Sequence, residues 1–199
     1  MTAGVATAPE FFAPDNTLYD YGTGRTDLGF WSRFKPRNII KKLENTTAPQ
    51  EGQAEVKQKI KELFSKFQDE IFEDGMESEF SKELIKLIVK YDEQALDELT
   101  IHILNKDVNE EIASDALRWL GRIEHTSSYN KRLWLLERSL FSFSARIRDA
   151  AAVSLASLDD PHAIRFIQIA IEKEPYAELC EDMQQVVAQL ESTLQCPWS

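Results

Sequence analysis

The residues able to do chemistry are scattered along this chain rather than clustered. None of the three histidines, His102, His125 and His162, lies within four residues of another His or a Cys. Zinc spacing is therefore absent. Cys180 and Cys196 stand sixteen residues apart, a separation that fits neither a metal site nor a redox pair; they read as one packed small hydrophobe and one tail thiol. Gly22-Thr23-Gly24 is too short for a phosphate loop and follows no strand pattern. No Gly-x-Ser-x-Gly elbow or dinucleotide fingerprint occurs. Carboxylates are abundant, but on helical surfaces their ordinary role is solvation. The expectation is a chain with no catalytic residue, no metal ligand set and no cofactor.

What remains is the chemistry of recognition. In the helical register that begins near Tyr129, Leu133, Leu136 and Leu140 fall on one stripe, and Lys131, Trp134 and Arg138 share another face. Arg165, Gln168 and Glu172 align in the same way further on, as do Gln94, Glu98 and His102 before. Trp and Arg dominate binding hot spots, so a Trp between Lys and Arg is an anchor type; the same spacing also suits a ring packed between helices. The second candidate is the run Phe30-Trp31-Ser32-Arg33-Phe34-Lys35-Pro36-Arg37, which interleaves aromatic and basic residues and is followed by Lys41 and Lys42.

Charge divides the chain. Overall, 23 Lys+Arg face 34 Asp+Glu, a formal charge of −11. Residues 1–50 carry 6 basic and 5 acidic side chains, residues 51–110 carry 8 and 16, and residues 111–199 carry 9 and 13. A basic aromatic arm thus precedes an acidic body. The arm either engages a partner or an anionic surface, or folds back on the acidic body with its rings over an apolar edge. The net negative charge disfavours nucleic acid as a ligand. No apolar run approaches the length of a membrane span. The N-terminus has neither a basic n-region nor an apolar h-region, so the expected compartment is the cytoplasm.

The elements that position these residues are helical. Four of the seven prolines and five of the seven glycines fall in the first 52 positions. That density of breakers predicts an irregular arm over 1–50, with a linker near Thr46-Thr47-Ala48-Pro49. From 51 onward the period changes: Val56, Ile60, Leu63, Phe64, Phe67 and Ile71 recur by threes and fours, predicting a helix that Gly75 ends. Further helices are expected over Ser78–Tyr91 and Glu93–Leu104. The chain then repeats itself. Ile112, Leu120, Gly121 and Ile123 recur 35 residues later as Ile147, Leu155, Ala156 and Leu158, and 32 later as Leu179, Val187, Ala188 and Leu190. A period in the mid-thirties marks stacked helix pairs. Asp107 with Glu110, Ser144, Asp160-Pro161 and Glu174-Pro175 supply candidate helix starts.

The segment from Ile147 to Ile164, Ile-Arg-Asp-Ala-Ala-Ala-Val-Ser-Leu-Ala-Ser-Leu-Asp-Asp-Pro-His-Ala-Ile, resembles a HEAT-type repeat: apolar-Arg-x-x-Ala-Ala, an apolar-small-x-Leu close, an Asp-rich turn and a Pro-x-Ala-apolar opening. The copies at 109–140 and 176–194 depart from it, both lacking the arginine and the last lacking a second helix. The resemblance covers roughly half the chain. It implies an all-α fold, an α-solenoid of stacked antiparallel helix pairs over 51–199, whose second helices line a concave face. It also implies a non-catalytic adaptor, scaffold or inhibitor that holds a protein partner. The acidic body suits a basic partner, as in an immunity-like inhibitor. The alternative is a bilin lyase-like HEAT-repeat protein handling tetrapyrroles on antenna proteins, although no lyase motif is matched. A DNA glycosylase on related repeats needs a basic groove, which the acidic body opposes.

Overall fold

The structure is a computed structural model that describes residues 51–70 and 76–195. Among the described residues it is all-helical, with no strand. The elements are α1 (Glu51–Lys66), α2 (Glu79–Tyr91), α3 (Glu93–Leu104), α4 (Glu110–Arg122), α5 (Tyr129–Ser139), α6 (Ala145–Leu158), a 3-10 turn (Pro161–Ala163), α7 (Ile164–Ile171) and α8 (Ala177–Gln195).

The apolar stripe of α1 is buried as its spacing predicts: Val56, Ile60, Leu63 and Phe64 all lie in the core. The helix stops at Lys66, short of the expected Gly75, because the chain leaves α1 in a turn closed by the Glu70 N–H on the Phe67 carbonyl. Phe67 stays buried in that turn, edge-on to Phe80 of α2 at 5.8 Å. Ile71 and Gly75 lie outside the described residues. At the start of α2, Ser78 and Ser81 form a reciprocal capping box that satisfies two otherwise orphaned donors. α2 and α3 meet at a single residue, Asp92, in a positive-φ conformation that Asp tolerates better than most side chains.

Two of the expected starts are corrected. The Asp107–Glu110 capping box does not form. Asn109 caps α4 instead, accepting from the Glu111 N–H at 2.9 Å, and Asp107 falls two residues too early. Glu174-Pro175 does not open α8. The helix begins at Ala177, and the Glu174 carboxylate is committed elsewhere. Asp160 does cap as its sequence implies, accepting from the His162 N–H ahead of the Pro161 turn.

α4 and α6 pack most closely of all the helix pairs, α2 and α8 flank them, and α5 and α7 sit against α6 and α8 respectively. Two polar devices hold the ends of these helices. Arg132 of α5, 1% exposed, caps the end of α4. Its guanidinium donates at 2.6 Å to the Leu120 carbonyl, in the last turn of α4, and at 3.1 Å to the His125 carbonyl in the link that follows. Arg148 of α6 makes a two-pronged bond to Glu174 (2.6 and 2.7 Å) and donates to the carbonyls of Ser142 and Phe143 (2.9 and 3.0 Å). One guanidinium thus ties the α5–α6 link to the α7–α8 link.

With Arg148 at 8% exposure and the Glu174 side chain at 1%, this ion pair is desolvated. Removing one partner strands the other charge, which costs about 3–5 kcal/mol, whereas replacing both by apolar groups is far milder. Urea unfolding of Arg148→Met, Glu174→Met and the double variant checks this: each single substitution loses about 3–5 kcal/mol and the double loses less than either. Additive losses would contradict it.

Candidate functional site

The candidate face lies on α3 and α5, joined by Lys131. Its ammonium donates to Asp97 Oδ1 at 2.6 Å and reaches the Glu93 carboxylate at 3.2 Å. Burial pushes the Asp97 carboxyl up while the Lys131 hydrogen bond pulls it back. Lys131 is therefore a strut between two helices rather than a loose cation.

One turn along α5, Trp134 is half-buried against the core, with its indole N–H enclosed and without an acceptor. The Arg138 guanidinium lies over its ring, 5.6 Å from the centroid, in the cation–π arrangement that an i, i+4 pair permits. Burial lowers the Arg138 pKa, with Glu137 opposing that shift. Beside it, Glu137 is 6% exposed and takes no hydrogen bond among the described residues; burial pushes its carboxyl up to about 8. Asp160, whose charge acts on Glu137, accepts from the Tyr129 hydroxyl and from the His162 backbone N–H. These bonds outweigh burial and hold the Asp160 carboxyl below its usual range. Burial and Asp160 together raise the Tyr129 hydroxyl well above its ordinary value.

Lys131, Trp134 and Arg138 do share one face of α5, and Lys131 brings them to α3. Arg165 and Gln168 lie on α7, the former half-buried and the latter exposed. The aligned trio on α3 turns away from solvent in part. Gln94 is exposed, but Glu98 is buried and His102 packs edge-on to Phe64 at 5.7 Å, because α1 covers that side. Burial raises the Glu98 carboxyl and lowers the His102 imidazole. Phe30, Trp31, Arg33 and Phe34, with the whole expected arm over 1–50, lie outside the described residues.

Sequence reasoning missed two aromatics on the links between helix pairs. Phe143 is 54% exposed with Lys106 Nζ 4.1 Å over its ring, and Tyr176 is 56% exposed beside Arg148. The signal was present: the two rings are 33 residues apart, one repeat, and each sits in a break between apolar runs. An open cleft of about 280 Å³ at the α3–α4 link, lined by Phe64, Gln68, Asp69, Asp107 and Asn109 among others, shares no residue with the α5 face.

Among the described residues, no group of three or more His, Cys, Asp or Glu side chains is placed to hold a metal ion, and no helix is long and apolar enough to cross a membrane. No family model, no curated protein and no solved structure matches the chain.

Proposed function

We propose that this chain is a non-catalytic scaffold of HEAT-like helix pairs that holds a protein partner on the α3–α5 face, with Trp134 as its anchor. The stacking of α2, α4, α6 and α8 on one another, and of α3 on α5, is what a solenoid of antiparallel pairs requires. The observation that carries the reading is the Trp134–Arg138 stack. A broad ring, already fixed by packing and roofed by a guanidinium, offers contact area at little further entropy cost.

The carboxylates of Glu93 and Asp97 outnumber the single Lys131 between them, and residues 51–199 carry 17 basic against 29 acidic side chains. That balance favours a basic partner, steered to the face by charge. An inhibitor that masks a basic protein is one form such a scaffold takes.

Capture from a lysate of the source organism tests the reading, using the full chain, Trp134→Ala and Arg138→Ala, each checked for an unchanged helical circular dichroism spectrum. The expected result is a stoichiometric protein bound by the wild type, weakened about tenfold or more by Trp134→Ala, equivalent to at least ~1.4 kcal/mol, and released by salt. Equal capture by a folded Trp134→Ala variant would refute this placement of the site.

A further inference from the structure

We propose that the edge formed by the links before α4, α6 and α8 is a self-association surface, occupied by the same edge of a second copy of this chain across a two-fold axis. Each of these links is five residues long, over 105–109, 140–144 and 172–176. Because α4 packs on α6 and α6 on α8, the links follow one another along one edge in that order. Side chains join them. Lys106 of the first link lies 4.1 Å over the Phe143 ring of the second. Lys173 of the third lies 5.7 Å from the Phe141 ring of the second, and Arg148 bonds both the Phe143 carbonyl and Glu174.

The edge combines exposed apolar area with local neutrality. Phe143 is 54% exposed and Tyr176 56%, large rings of the kind that mark contact surfaces. Across the three links and the arginine bound to them, Lys106, Lys173 and Arg148 balance Asp107, Glu172 and Glu174. Residues 51–199 as a whole carry 17 basic and 29 acidic side chains. Two such bodies repel one another on most approaches, and a neutral edge is where they can meet.

The order of the charges selects a second copy as the occupant. The first link reads Lys106-Asp107, plus then minus. The third reads Glu172-Lys173, minus then plus, and the link between them carries no charge. All four charged side chains are exposed. Among the described residues Lys106, Glu172 and Lys173 form no ion pair, and Asp107 has only the His102 imidazole, at 4.0 Å. A two-fold axis through the middle link lays the first link of one copy on the third link of the other. Lys106 then meets Glu172 of the second copy and Asp107 meets its Lys173, each pair being made twice, as an isologous interface requires. The aromatic middle of the edge closes on itself at the axis. An acidic peptide on this edge would instead meet Asp107 and Glu172 as like charges, and a basic one Lys106 and Lys173. Three five-residue links fall short of the roughly 20–30 residues a side of a standard interface, so the dimer is weak and reversible. The edge shares no residue with the α3–α5 face, so the two surfaces stand or fall separately.

Sedimentation equilibrium of the full chain at neutral pH and about 0.15 M salt, where charges are screened beyond about 8 Å, tests this with Lys106→Glu, Glu172→Lys and the double variant. Helical circular dichroism is recorded for each. The wild type forms a dimer. Each single reversal sets like charges against each other twice per dimer and weakens association about tenfold or more. The double variant exchanges the two signs and restores the dimer to within about threefold of wild type, and an equimolar mixture of the two single variants associates as well. Tyr176→Ser weakens the dimer without changing its response to the reversals. A wild type that stays monomeric up to about 1 mM, a dimer indifferent to the single reversals, or a double variant that stays apart would each overturn the proposal.

Discussion

α4 and α6 approach so closely that no side chain fits between them at Gly121. A Cβ built there would lie 2.5 Å from the Ser154 carbonyl oxygen and 2.7 Å from its Cα, both backbone atoms of α6. The contact is polar as well as tight. The Ser154 hydroxyl, fully buried, lies 2.8 Å from the Leu117 carbonyl of α4 and 2.6 Å from the Ala150 carbonyl of its own helix, so both helices share one donor. A bulkier residue at either position would push the helices apart and break that bond.

The contacts along α4 and α6, and the position of α5 between them in the chain, are arranged around this seam. With α4 and α6 in register, Arg118 meets Asp149 across them and Ser144 reaches Glu110 at the other end. α5, which links the two, is then held from three sides: by Arg132 under the end of α4, by Lys131 on α3, and by the Tyr129–Asp160 bond to the turn after α6. Trp134 and Arg138 take their positions from a helix so clamped. On the opposite links, the Arg148–Glu174 pair fixes the segments from which Phe143 and Tyr176 project. The positions of these side chains are therefore by-products of helix ends being satisfied.

Much of the helical pattern was legible in the chain. The three-and-four spacing of Val56, Ile60, Leu63 and Phe64 reports burial directly, and of the recurring small residues Gly121 marks where α4 and α6 run close, whereas Ala156 is half-buried and Ala188 exposed. The bounds of α3 were readable from Asp92 and from the end of the Glu93–Leu104 stripe. Cap identities were less so. Asp107 and Asn109 are equally good capping types two residues apart, and only the path of the link, with Lys106 at positive φ, decides between them. Glu174 looked like a helix start because nothing local shows that a buried arginine 26 residues earlier needs its carboxylate. The α5 face was legible as a stripe, but its chemistry was not. Lys131 as a strut and Glu137 as a buried acid depend on what α3 and Asp160 place opposite, which periodicity does not encode.

The most direct test of this account is the stability of Gly121→Ala in urea. Helix propensity alone would reward the substitution by up to about 1 kcal/mol. Overpacking against an unyielding backbone costs about 1–3 kcal/mol and breaks a shared hydrogen bond as well. The account predicts a net loss of about 1–3 kcal/mol, with faster amide exchange in both α4 and α6. A variant as stable as the wild type, or more so, would show that the two helices do not meet where the account places them.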